Sequence, residues 1–271
     1  GKIVFRSNFS SGSTIPSSLE QEYYMYERLG HTAVPVARVL WWEQDPDWAA
    51  RPFYVREHVD GDWSIPHYHD PDPAYSDYLR ARGFGGDNPW EAWANTAEDR
   101  DGTLRSGWFL KYSNLPARIP AEHSETAYIT GRAMDFMREA GEQPWLMHLS
   151  YIKPHWPYLA PNPYASLYGP EDALPVARSA EERRDPHPVY AAMMDHRVSR
   201  TFAQPGVRDA VMVGYMALVK QIDDELGRLF GFMEERGLTE HTMIVFCADH
   251  GDYLGDHWMG EKDLFHEPVI R

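Results

Sequence analysis

The chain is expected to be α/β with a mostly parallel central sheet, and three stretches carry that expectation. "SETAYITGRAMDFMREAG" (124–141) reads as a helix, and "WLMHLSYI" (145–152) follows it as an apolar strand. A long amphipathic run from Val207 leads into a second apolar strand, "TMIVFCA" (242–248). Helices alternating with short apolar strands form a layer of helices over a parallel sheet.

The first helix opens on Ser124, a capping residue, and closes at Gly141. Its strand empties into a proline-bounded loop, "KPHWPY" (153–158). A proline-rich, charged connection then runs to about residue 206. From there Val207, Val211, Tyr215, Leu218, Ile222, Leu226, Leu229 and Met233 step by three and four, which predicts a helix about 30 residues long, ended by Gly237. Nearer the start, "KIVFR" (2–6), "VPVARVLWWEQ" and "PFYVREHVDG" read as strands, and "LEQEYYMYERLG" (19–30) reads as a helix. The texture changes at 65–93, which is rich in Pro, Gly, His and aromatic residues.

Composition narrows the function. At 271 residues the chain has room for one large domain or two small ones, and 43% apolar residues can build a core. The formal charge of −15 argues against nucleic acid and anionic membrane surfaces, which need Lys and Arg. No apolar run reaches 18 residues, so no membrane span is expected. One cysteine, Cys247, excludes an internal disulfide. No signal peptide stands at the start, so a cytoplasmic location is the expectation.

Ligands of open α/β sheets sit beyond the carboxyl ends of the strands. Two loops occupy that place, "KPHWPY" and "ADHGDYLGDH". Asp249 and His250 stand together at a strand end, and carboxylate with imidazole suits a divalent cation. Gly251 would let the backbone turn close to that metal. Lys153 and His155 from the other loop, and Lys262 twelve residues beyond His250, would face an anionic substrate. Each has a plainer alternative. "DHG" also occurs as a simple loop cap, and His257 and His266 also read as surface residues, which is the preferred reading for His266. Asp223 and Asp224 fit a solvated helix face, His67 and His69 a structural loop, and Cys247 a buried, inert thiol.

Several motifs then act together: "DNPWEAWAN", "SGWFLKY", "PARIPAEHSETAYITGRAMDFM", "HLSYIKPHWPYLAP", "LVKQIDDELGRLF" and "MIVFCADHGDYLGDHWMGEKDLFHE". By these, residues 63–271 resemble the sulfatase family of the alkaline phosphatase superfamily, and within it the phosphonate monoester hydrolases and related bacterial phosphodiesterases. The resemblance implies an α/β sandwich with a divalent metal (Mn, Zn or Ca) at the sheet's carboxyl edge. It implies hydrolysis of a small anionic sulfate, phosphate or phosphonate ester. Asp249 and His250 would be metal ligands. His155 would protonate the leaving group or contact the substrate oxyanion, Lys262 would stabilise the same anion, and Lys153 and His257 would hold substrate.

Two family features are missing: a metal-binding Asp pair on the first strand, and the nucleophile motif C-x-P-x-R. "NLPAR" (114–118) has the Pro and Arg spacing but an Asn in the nucleophile's place, a coincidence on this reading. The family's chains also continue past the position of Arg271. The expectation is therefore a hydrolase domain truncated at both ends with impaired activity. The alternative is a non-catalytic fusion or fragment, associating through exposed sheet faces. Residues 1–62 resemble instead a small α+β segment, the N-terminal lobe of aminoglycoside phosphotransferase-like kinases. By that likeness Glu22 pairs with a basic residue on a preceding strand, "REHVDG" is the hinge, and a third reading is a phosphotransferase remnant joined near residue 62.

Overall fold

The computed structural model describes residues 3–7, 19–32, 36–45, 52–57, 73–262, 264 and 266–270. Chain contacts divide it into two compact units, Gly1–Trp63 and Ser64–Arg271. The expected junction near residue 62, the "HVDG" of the hinge, and His67 and His69 lie outside the described residues.

In the first unit β1 (Ile3–Ser7), β2 (Val39–Glu43) and β3 (Phe53–Glu57) form an antiparallel sheet in the order β1-β3-β2. Phe5 stands opposite Val55, and a register shift interrupts β2 between Val39 and Trp41. Helix α1 (Leu19–Leu29) lays its aromatic face on this sheet, with the Tyr23 ring stacked on Trp42 at 5.3 Å. Tyr54 donates its hydroxyl to Glu22 Oε2 at 3.3 Å.

The second unit begins with α2 (Pro73–Ala81) and a short antiparallel pair, β4 (Thr96–Glu98) and β5 (Leu104–Ser106). Its frame is two helices, α3 (Glu125–Ala140) and α6 (Val207–Glu235). Ser124 caps α3 as expected, its hydroxyl oxygen accepting from the Ala127 N–H at 3.2 Å. The same oxygen accepts from buried Gln221 of α6 at 2.7 Å, which ties the cap of one helix to the flank of the other. Ala133 and Met137 of α3 pack on Leu229, Phe232 and Met233 of α6. Burying a side chain of this size contributes roughly 1.5–3 kcal/mol. The N-terminal half of α6 turns Val207, Val211 and Leu218 toward Leu110, Tyr158 and Ala160. Between them run α4 (Pro188–Met194) and α5 (Arg197–Phe202), and α7 (Glu267–Ile270) ends the chain.

The mostly parallel central sheet is corrected by the structure. Among the described residues both sheets are antiparallel, and 145–152 and 242–248 carry no strand pairing. A strand exists through ladder bonds to a neighbour, which side-chain pattern alone does not supply. Trp145, Met147 and Leu149 do alternate inward onto the α3–α6 core, while Leu146 between them is 84% exposed. Met243 and Phe246 are 88% and 76% exposed. Cys247, expected to be buried, is exposed with them because no layer covers that run among the described residues.

Gly214 marks the tightest crossing of α6. A Cβ there would lie 2.3 Å from the Tyr158 carbonyl oxygen and 2.4 Å from that of Ser113. Both are backbone atoms that no rotamer change removes. Gly214→Ala is expected to destabilise the second unit by about 3 kcal/mol, the upper range for an overpacked core. Gly231, whose Cβ would meet nothing within 4 Å, is the control. Urea unfolding of the two alanine variants checks it, and equal midpoints would contradict the crossing.

Candidate active site

The loop 153–158 leaves the α3–α6 core and delivers two basic side chains to opposite places. Lys153 is turned inward and buried, donating to the Pro157 carbonyl at 2.8 Å. Burial holds its pKa below the ordinary lysine value, opposed by the charges of Glu125 and Glu91. The structure thus keeps Lys153, a sequence candidate for substrate contact, inside the loop it comes from.

His155 is turned the other way and meets Lys262, 107 residues further along the chain, with Lys Nζ 3.1 Å from His Nε2. Its other nitrogen, Nδ1, lies 2.8 Å from the Trp156 carbonyl oxygen. A carbonyl only accepts and an ammonium only donates. The two partners therefore select one tautomer: the proton is on Nδ1, and bare Nε2 accepts from Lys262. Burial pushes the His155 pKa down, opposed by the hydrogen bond to the Trp156 carbonyl; the charges of Lys262 and Lys153 push it further down, and Asp252 acts the other way. His155 is accordingly the neutral orienting partner, and Lys262 holds the protons.

Lys262 is carried by a segment of unusual backbone. Leu254, His257, Trp258, Glu261 and Leu264 all have positive φ, from 46° to 107°. Left-handed backbone in such residues costs about 1–3 kcal/mol each and persists only where the surroundings impose it. The ring of His257, a sequence candidate for substrate contact, has its Nδ1 2.9 Å from Glu182 Oε1 and its plane stacked on His266 at 4.4 Å. His266 in turn bonds the Tyr253 hydroxyl at 2.9 Å.

Asp249 and His250 form a pair by themselves. His250 Nδ1 reaches the Gly251 carbonyl at 2.6 Å, so its lone pair is on Nε2, which lies 3.3 Å from Asp249 Oδ2. Two lone pairs at that separation call for a proton or a cation between them. The spacing also suits two donors on one ion with bonds of about 2.0–2.2 Å. The donor set fits a divalent metal as two ligands. No group of three or more His, Cys, Asp and Glu suited to a metal occurs among the described residues. Gly251 serves close packing: its N–H donates to the Val269 carbonyl at 2.8 Å, and a Cβ would meet the Pro268 oxygen.

Two further residues belong to this neighbourhood. Half-buried Asp252 accepts from the Tyr158 hydroxyl at 2.6 Å and from the Leu254 N–H at 2.9 Å. Burial raises the Asp252 pKa, and burial with the nearby Asp252 charge raises that of Tyr158. Their only signal in the sequence is position, two residues past His250 and three past His155. Arg118 of "NLPAR" is committed elsewhere, lying over the Trp93 ring and donating to the Ala92 carbonyl at 2.8 Å.

The contact between Lys262 and His155 sets a pH expectation. In the unfolded chain His155 takes up a proton near the usual value of about 6.5, and in the folded protein only at lower pH. The unfolded state then binds more protons in that window, so stability rises with pH and is lost as pH falls below about 6.5. His266, also lowered by burial, acts in the same direction. Lys262→Met is expected to move the His155 titration up toward its usual value by NMR. No movement would contradict the contact.

The Sulfatase family model matches residues 56–270. The chain is similar to the multifunctional alkaline phosphatase superfamily protein PehA of Trinickia caryophylli, 33% identical over 157 residues, which cover 54% of this chain and 30% of that protein. It is similar to choline-sulfatase of Rhizobium meliloti at 27% identity, covering 49% of this chain and 26% of the relative. Among solved structures, phosphonate monoester hydrolase SpPMH from Silicibacter pomeroyi aligns with a TM-score of 0.63 and 28% identity, over 73% of this chain and 40% of that one. The chain thus spans between a quarter and a third of the length of the curated relatives it matches. The family match extends over most of the chain, from the end of β3 to α7, and takes in both histidine loops: the chain belongs to the Sulfatase family.

Proposed function

We propose that residues 56–270 carry the anion-holding part of an ester hydrolase of the sulfate, phosphate or phosphonate class. The observation that carries this reading is the Lys262–His155 contact at 3.1 Å, an ammonium oriented by a neutral imidazole. Such a group offers its remaining N–H bonds to an oxyanion and stabilises charge developing on it. In the tautomer described, His155 has no proton on Nε2, so the proton nearest to a leaving oxygen is on Lys262. Asp249 and His250 would hold a divalent cation, which when bound supplies Lewis acidity and an anchor for the ester. PehA and choline-sulfatase, by their names, lie within this class of chemistry.

No C-x-P-x-R stretch occurs in the sequence, and Cys247 is followed by "ADHG". Loss of a nucleophile removes most of a rate and leaves the contribution of binding and electrostatics. The expected behaviour is anion binding with negligible turnover. By calorimetry inorganic sulfate or phosphate should bind, and Lys262→Met should weaken it roughly tenfold, the size of one charged hydrogen bond of about 1.5 kcal/mol. Mn or Zn should bind weakly and lose heat in Asp249→Ala. Identical isotherms for variant and wild type would remove each claim. Robust hydrolysis of aryl sulfates or aryl phosphonates, abolished by His155→Ala, would reveal a nucleophile not identified above.

For residues 1–62 the kinase-lobe reading is kept as a second proposal. It is supported by the antiparallel sheet with α1 against it and by Glu22 on the helix face that meets Tyr54. Limited proteolysis with and without ATP–Mg tests it. The same cleavage rate in both is expected of a lobe without its partner, and protection by ATP would show a working nucleotide site.

A further inference from the structure

Lys262 sits on a segment of unusual backbone: five non-glycine residues between 254 and 264 have positive φ, a path that persists only where contacts impose it. Some of those contacts are internal, the Tyr253 N–H donating to the Glu261 carbonyl at 2.8 Å and the Gly255 N–H to the Met259 carbonyl at 2.9 Å. A second set, on residues 256–258, comes from the stretch 177–182, part of the connection that precedes α4. Backbone pairs with backbone there: the His257 N–H donates to the Ala177 carbonyl at 2.9 Å. The Ala177 N–H donates to Asp256 Oδ1 at 2.8 Å, and the Trp258 indole N–H to the Ser179 carbonyl at 2.7 Å.

Glu182 closes the arrangement with both oxygens. Oε1 meets His257 Nδ1 at 2.9 Å, and Oε2 accepts from the Ser179 N–H at 3.1 Å. Arg178 and Arg183 lie against the Trp258 ring at 4.5 and 4.6 Å, and His266 stacks on the far side of the His257 contact. The three side-chain hydrogen bonds that join the two stretches link residues 75 to 79 positions apart. A helix or sheet would not need such a device, whereas an irregular segment of this backbone does.

We infer that the 177–182 stretch is a clamp for the Lys262 segment, with Glu182 and His257 as positioning residues that hold the Lys262 ammonium at His155. They act through the backbone of 256–262 and touch no substrate. The inference rests on the proposed role of the Lys262–His155 pair and extends it to a part of the chain that holds no sequence motif.

The test reads geometry in the free protein, with no substrate present. Because the Lys262 charge adds to burial in holding the His155 pKa down, withdrawal of Lys262 is visible as an upward move of the His155 titration by NMR. Glu182→Ala and His257→Ala are each expected to move it in the same direction as Lys262→Met, by at least half as much. His257→Asn, whose amide nitrogen can replace Nδ1 toward Glu182, is expected to stay near wild type. Glu182→Ala and His257→Ala that leave the titration at its wild-type value, while Lys262→Met moves it, would overturn the clamp. A loss of folding in one alanine variant, seen by circular dichroism, leaves the other to decide, and if both unfold then Trp258→Phe, which removes only the bond to Ser179, is read the same way. Failure of sulfate or phosphate to bind a protein with this titration pattern intact would sink the functional reading and leave the clamp standing.

Discussion

A peptide carbonyl offers lone pairs and an ammonium offers protons, and His155 stands between one of each. The Trp156 oxygen takes the Nδ1 proton and Lys262 supplies one to Nε2, so the imidazole is fixed as a neutral ring in a single tautomer. Burial reinforces this, because a charged imidazole there would lose solvent and face two lysines. Everything else in the neighbourhood serves that contact or is arranged around it. Lys153 is withdrawn into its own loop, and Asp252 places a negative charge within reach of the ring, bound through Tyr158.

The contact joins loops from distant parts of the chain, and the helices set the distance between them. Tyr158, two residues beyond Trp156, is buried against the N-terminal half of α6, and the Gly214 crossing brings that helix against its carbonyl. On the other side, Arg208 of α6 donates to the Leu254 carbonyl at 3.3 Å, at the first residue of the left-handed run. The α3–α6 pair, joined at Ser124 and Gln221, is therefore the rigid reference for both loops. The irregular stretch 177–182 adds partners for residues 256–258 to the internal hydrogen bonds that the left-handed segment makes for itself.

Helices were the most legible part of the sequence. Ser124 and Gly141 bound α3, and the three-and-four stepping from Val207 marks α6 to within two residues of its end, because both signals are local. The sheet was not legible in the same way. Alternation at Trp145, Met147 and Leu149 reports which face meets the helices and says nothing about a neighbouring strand to bond with. The run from Met243 to Phe246 has the composition of a buried strand and is open among the described residues. In the candidate site, His155 and Lys262 are brought together across 107 residues. His257 and Lys153 have the same residue chemistry and face elsewhere, since side-chain type does not encode direction. Glu182 had no signal at all, because its role depends on backbone angles at 257 and 258.

The central claim is the neutral, Nδ1-protonated form of His155 facing the Lys262 ammonium. Ring nitrogen chemical shifts of ¹⁵N-labelled protein at neutral pH test it most directly, with the resonance assigned by its loss in His155→Gln. The account predicts a protonated Nδ1 and an unprotonated Nε2 whose shift changes in Lys262→Met. A proton on Nε2 in the wild-type protein, or a doubly protonated ring, would contradict it.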